Sequence, residues 1–158
     1  MATGTELTHI DEAGRASMVD VSGKSRVKRT ARACCSIHMA PATIDLVRAN
    51  ALAKGDVLAA ARIAGIMAAK KTAELIPLCH NIEIDRAAVD FVVRDDRIDI
   101  ESMAVCTDKT GIEMEALTSA SIAALTIWDM CKAVDKKMWI DNLTLMEKTK
   151  ETGDGSGR

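Results

Sequence analysis

A chain of 158 residues, 48% of them hydrophobic, with a formal net charge of −2, has the length of one domain and enough apolar material for a real core. That charge balance argues against a nucleic-acid track or an anionic membrane surface as partner, and no apolar run reaches the roughly 20 residues a bilayer span needs. Phe91, Trp128 and Trp139 are the only large aromatics beside nine Met, so part of the apolar surface is expected to be covered between subunits rather than within one.

Residues 1–14 are polar and read as a loosely held arm, after which Met18-Val19-Asp20-Val21 begins ordered structure. From Arg26 to Met39 the chain mixes polar and small apolar residues as a strand does. Arg29 and Arg32, three apart, fall on its opposite faces unless a bulge intervenes. Pro41 suits a first helical turn and opens a short helix ending near Asn50. Gly55-Asp56 starts a longer one, and Val57 to Leu75 is so rich in Ala and so continuously apolar that it must be covered on most sides. Pro77 ends it. Ile82–Val93 and Arg97–Cys106 are predicted strands joined by a hairpin at Arg94-Asp95-Asp96. Gly111 then opens a second long helix, Glu113 to about Asp135, and Met138–Met146 alternates as a last strand before a tail over 149–158. A single catalytic domain is thus expected over 15–148. The order β, α, α, β, β, α, β predicts an α+β, ferredoxin-like plan: a mainly antiparallel sheet with two long helices on one face.

Several motifs are weaker than they look. Ser22-Gly23-Lys24-Ser25 resembles the end of a phosphate-binding loop, but Met18 occupies the position that requires its first glycine. Cys35-x-x-His38 has no matched second pair and Cys79-His80 are adjacent, so no metal site is expected. Cys34, Cys35, Cys106 and Cys131 read as small buried hydrophobes. Five cysteines without a CxxC, behind an N-terminus lacking a leader pattern, point to a reducing, cytoplasmic setting.

Three places carry more chemistry. Ile76-Pro77-Leu78-Cys79-His80-Asn81 is a proline-stiffened loop that delivers a histidine at a set position, as a ligand wall does. Glu113 and Glu115 stand in the first turn of the second long helix, where the helix dipole explains one acid and leaves the other to face a site. Asp129 and Lys132, at i,i+3 near its other end, read either as a structural ion pair or as an acid/base couple on a helix expected to be buried nearly all round. Glu115 and Asp129 lie about 21 Å apart along one straight helix, so one pocket holds both only if two subunits each contribute one end. Lys54, Arg29 and Arg32 are candidates for phosphate-binding charge.

Lys54-Gly-Asp-Val, Ala61-Arg-Ile-Ala-Gly-Ile, Leu75-Ile-Pro-Leu-Cys-His80, Lys109-Thr-Gly-Ile-Glu-Met-Glu-Ala-Leu-Thr118 and Asp129-Met-Cys-Lys-Ala-Val134 together resemble the cyclic pyranopterin monophosphate synthase family of molybdenum cofactor biosynthesis, with the likeness running from about residue 7 to 147. The resemblance implies a lyase that converts (8S)-3',8-cyclo-7,8-dihydroguanosine 5'-triphosphate to cyclic pyranopterin monophosphate and releases diphosphate. It implies a homohexamer, a trimer of dimers, with sites at subunit interfaces. On matching positions Asp129 resembles the catalytic acid/base, with Lys132, Lys54 and His80 as further catalytic candidates. Leu78, Cys79, His80, Met114 and Glu115 would line the substrate, beside Glu113, with Arg29 and Arg32 toward the phosphates. No redox cofactor is implied, and Mg²⁺ beside the substrate phosphates is left open. Asn81 stands where the family usually has proline, and the tail lacks a lysine often found there. The competing class is a non-catalytic module sensing a small ligand between subunits, which leaves Asp129 and Lys132 unexplained. An RNA-binding version lacks the aromatic platform for stacking bases.

Overall fold

Alternation along β1 (Val27–His38) sets the frame of the computed structural model, which describes residues 14–151: Ala31, Ala33, Cys35 and Ile37 are buried on one face while Arg32, Cys34, Ser36 and His38 take the other. It is followed by α1 (Pro41–Arg48), α2 (Val57–Ala69), α3 (Thr72–Leu75), β2 (Ile84–Val93), β3 (Arg97–Asp108), α4 (Glu113–Cys131) and β4 (Trp139–Glu151). The sheet order is β2-β3-β1-β4, with every neighbouring pair antiparallel. Helices α2 and α4 lie on one face, burying Ile37, Val89, Ile98, Ile100 and Ile127 between the layers. This is the ferredoxin-like α+β plan, and β2 and β3 form the hairpin expected around Arg94–Asp96.

Three element boundaries differ from expectation by more than two residues. The helix predicted over Val57–Leu75 breaks after Ala69, and α3 restarts at Thr72, whose buried hydroxyl donates to the carbonyls of Ala68 and Ala69 at 3.3 and 3.1 Å. The second long helix ends at Cys131 rather than near Asp135. β4 continues to Glu151, because the length of β1 offers partners as far as Lys28. The first residues assigned to a tail, 149–151, are therefore strand. The expected arm, apart from Gly14, and the tail beyond residue 151 lie outside the described residues.

Small side chains make the helix pair possible. A Cβ at Gly65 of α2 would meet the Ser119 carbonyl oxygen of α4 at 2.9 Å, Val89 Cγ2 of β2 at 2.9 Å and Ala123 Cβ at 3.3 Å. Glycine is required here for closeness of approach rather than for an unusual backbone angle.

Asp135 explains the early end of α4. Buried at 8% exposure, its carboxylate accepts from the backbone amides of Ala40 at 2.8 Å and Lys137 at 2.9 Å and from the Thr43 hydroxyl at 3.2 Å. It thereby caps α1, which has no cap of its own. Asp135→Ala strands these donors and is expected to cost about 2–3 kcal/mol of stability, read from the urea midpoint.

Cys35, Cys106 and Cys131 are buried free thiols, pushed up by burial to about 12, about 11 and about 11. Cys34 departs from the buried-hydrophobe expectation. It is half-buried on the helix-free face, with its Sγ 3.8 Å from the Asn142 carbonyl oxygen at a bulge in β4.

Candidate active site

A cleft of about 970 Å³ opens where the α3–β2 loop, the start of α4 and the chain before β1 converge. Leu78, Cys79 and His80 come from the loop that follows Pro77, and Glu113, Met114 and Glu115 come from the first turn of α4. Six candidates that lie far apart in sequence thus share one cavity. Lys24, from the motif set aside as a phosphate-binding loop, and Lys148, which sequence reasoning did not single out, also line it. A smaller cavity of about 300 Å³, walled by Lys70, Asn81 and Glu83, shares His80, Ile82 and Glu115 with the first.

Glu115 stands in the wall between the two cavities at 3% exposure. Burial raises its pKa above the ordinary glutamate value and the neighbouring Glu113 charge adds to this, against the pull of its own backbone amide. A folded-state pKa raised in this way favours the fold fully below the unfolded value of 4.5, and the contribution is lost as pH rises through the folded value. Glu115→Gln is therefore expected to raise the thermal midpoint at neutral pH, with the difference closing below pH 4.5. Paired melting curves across that range check it.

At the far end of α4, Asp129 holds two ammonium groups. Its Oδ1 lies 2.6 Å from Lys132 Nζ and its Oδ2 2.8 Å from Lys54 Nζ, while Lys54 also donates to the Asp129 carbonyl oxygen at 2.9 Å. Lys54 reaches this place from the loop before α2, where Gly55 adopts φ 91° and Asp56 caps the helix by accepting from Ala59 N at 2.9 Å. The Lys132 hydrogen bond, with that of Lys54 behind it, lowers the Asp129 carboxyl to about 2. The expectation of a helix buried nearly all round fails here. Leu125, Asp129 and Lys132 form an exposed stripe on the single chain, with the Asp129 side chain 57% accessible. About 21 Å of helix separates this trio from Glu115 at 1.5 Å per residue, so within one chain they form two separate places.

The arginines divide between the faces of the sheet. Arg29, on the helix side, donates through Nε to the Asp108 carbonyl and through Nη2 to the Lys109 carbonyl, both at 3.1 Å, and borders a cavity with Glu113 and Lys148. Arg32 lies on the helix-free face, paired with Glu101 and with Glu147. The bulge that would have brought both to one face lies beyond Arg32, between it and Ala33 in the pairing with β4. Lys148 lies 3.3 Å from Glu113 Oε1. It faces the helices because that bulge shifts the alternation of β4, which no period-two reading of the sequence shows. Among the described residues no group of three or more His, Cys, Asp or Glu converges as a metal site, and no helix is long and apolar enough to cross a membrane.

Residues 18–151 match the model of the MoaC family. A cyclic pyranopterin monophosphate synthase of Desulfitobacterium hafniense is 54% identical over 145 residues, covering 91% of this chain and 89% of that protein. One of Chloroflexus aggregans is 54% identical over 145 residues, covering 90% and 88%. The mitochondrial cyclic pyranopterin monophosphate synthase of Arabidopsis thaliana is 52% identical over 147 residues, covering 92% of this chain and 54% of that longer protein. With the match spanning nearly every described residue, both ends of α4 included, the chain belongs to the MoaC family.

Proposed function

We propose that this chain is a cyclic pyranopterin monophosphate synthase: a lyase that rebuilds the purine of (8S)-3',8-cyclo-7,8-dihydroguanosine 5'-triphosphate as a pyranopterin, closes a cyclic phosphate and expels diphosphate. The observation that carries this reading is the Asp129 carboxylate with one lysine on each oxygen, on the same helix that presents Glu113, Met114 and Glu115 to a cleft of nucleotide size. Opening one ring and closing another needs repeated proton transfers. A carboxylate between two ammonium groups aligns two donors and takes a proton back once a closed site removes water from it. Lys24 and Lys148 in the cleft stabilise the negative charge that builds on the departing diphosphate. No resident cofactor is part of this reading, and Mg²⁺ carried in on the phosphates is compatible with it.

The working form in this reading is a homo-oligomer, a hexamer built as a trimer of dimers, in which one subunit supplies the trio and its neighbour the cleft. Exposed Ile63, Met67 and Leu125 on the helical layer support it, since the stripe that carries Asp129 also carries Leu125. Burial of that stripe against a neighbour would desolvate Asp129. The five free cysteines support a reducing, cytoplasmic setting.

The test is diphosphate release from the cyclised dihydroguanosine triphosphate by purified protein, with Lys132→Ala alongside. Release by wild type and loss in the variant are expected. Binding without release by an assembled wild type would turn the reading toward ligand sensing.

A further inference from the structure

The segment just before β1 is tied down at two points, Val19 and Ser22, by side chains from two different loops. His80 Nε2, from the α3–β2 loop, lies 2.8 Å from the Val19 carbonyl oxygen. Lys109 Nζ, from the β3–α4 loop, donates to the Ser22 carbonyl oxygen at 3.0 Å. Between these points Val19 and Val21 line the cleft, and a tight turn closed by Lys24 N to Val21 O at 3.0 Å and Ser22 N to Asp20 Oδ1 at 2.8 Å brings Lys24 to it. The Ser22 amide holds the Asp20 carboxyl below the usual carboxylate range, and the Lys109 charge contributes to this, so the lysine attracts the segment's side chain as well as its backbone.

The Lys109 anchor is itself braced. Arg26 donates to the Thr107 carbonyl through Nε at 3.0 Å and Nη2 at 2.8 Å, and Arg29 engages the next two carbonyls, those of Asp108 and Lys109. Two guanidinium groups thus fix three successive carbonyls, from the last two residues of β3 to the lysine itself. A carbonyl oxygen only accepts, so Nε2 of His80 is the donor in its contact and is engaged with backbone rather than turned free into the cleft.

We propose that residues 19–24 are a strap forming one wall of the substrate cleft, clasped at Val19 by His80 and at Ser22 by Lys109, and that both side chains position this wall. This rests on the synthase reading, and it moves His80 from a catalytic candidate to a positioning residue. Arg29 then acts through the loop it braces. The strap carries Lys24, so the contacts that hold this wall in place also place a cation in the cleft.

The experiment compares Lys109→Met, His80→Ala and His80→Gln in the full-length assembled protein. One readout is trypsin cleavage after Lys24 without substrate, and the other is kcat and KM for diphosphate release. Losing one charge-assisted hydrogen bond from Lys109 is expected to speed cleavage about tenfold and raise KM about tenfold, with kcat within about threefold of wild type. His80→Ala is expected to loosen the strap in the same way. His80→Gln, whose amide can still donate to the Val19 carbonyl, is expected to regain protection and more turnover than the alanine variant. The proposal is overturned if Lys109→Met changes neither cleavage nor KM, or if both His80 variants lose turnover equally while the strap stays protected. Cleavage needs no turnover, so a wild type that released no diphosphate would sink the synthase reading while the protease still decided the strap.

Discussion

Asp129→Asn is expected to lower kcat by about 10²–10⁴-fold, the range for loss of a positioned proton-transfer group, with thermal midpoint and oligomeric state close to wild type. The asparagine has nearly the same shape, but it removes the charge that holds Lys132 at 2.6 Å and Lys54 at 2.8 Å. The fold of the single subunit should change little because all three side chains are about half accessible there, where ion pairs are screened by water and salt. The acid side gives a matching check. The Asp129 carboxyl is depressed to about 2, so whatever its two lysine contacts add to stability is fully present above the ordinary value of 3.8 and is lost progressively as pH falls from there through about 2. Steady-state kinetics beside sizing chromatography and a melting curve decide it. A variant that kept wild-type kcat would remove Asp129 from the chemistry.

Gly65→Ala is expected to destabilise the fold through the contact between α2 and α4. The new Cβ would lie 2.9 Å from a backbone oxygen of α4 and 2.9 Å from a β2 methyl, and the backbone oxygen cannot swing aside as a flexible side chain does. Overpacking of this kind costs about 1–3 kcal/mol even though alanine favours the helix over glycine. In a chain of this size that lowers the melting temperature by roughly 2–4 °C per kcal/mol. The shift of α2 against α4 also disturbs both ends of the helix that carries the two halves of the site, so kcat is expected to fall as well. A melting temperature at or above wild type would show that the two helices have slack the contact distances deny.

The sequence carried the architecture because its signals were local. Inward-facing Ala31, Ala33, Cys35 and Ile37 alternate along β1, and the Arg94–Asp96 turn marks the hairpin. Boundaries set by distant partners were not readable. Nothing around Lys70-Lys71 breaks a helix by propensity, since lysine and alanine both favour it, and α4 stops where Asp135 is drawn away to cap α1. The same holds at the site. Clustering of Leu78–His80 with Glu113–Glu115 could be suspected from a stiff loop and a first-turn acid pair, whereas Lys54, read as phosphate-binding charge and named a catalytic candidate by family resemblance, gave no sign that it would pair with Asp129. Lys109 on the Ser22 carbonyl and Arg29 on the Asp108 and Lys109 carbonyls leave no mark in sequence, because a backbone acceptor is present at every residue. Arg29, expected toward the phosphates, therefore braces a loop in the chain as folded.

The most direct test of the account mixes two inactive proteins. Asp129→Asn lacks the trio and Lys148→Ala lacks a cation of the cleft; each alone is expected to release little diphosphate. If every site takes the trio from one subunit and the cleft from another, reassembly of an equal mixture after dissociation leaves some sites with both defects and some with neither. About a quarter of wild-type activity should return when subunits pair at random across a two-fold interface. A mixture as inactive as its parents, under conditions where subunit exchange is seen and wild type recovers fully, would contradict a site shared between subunits.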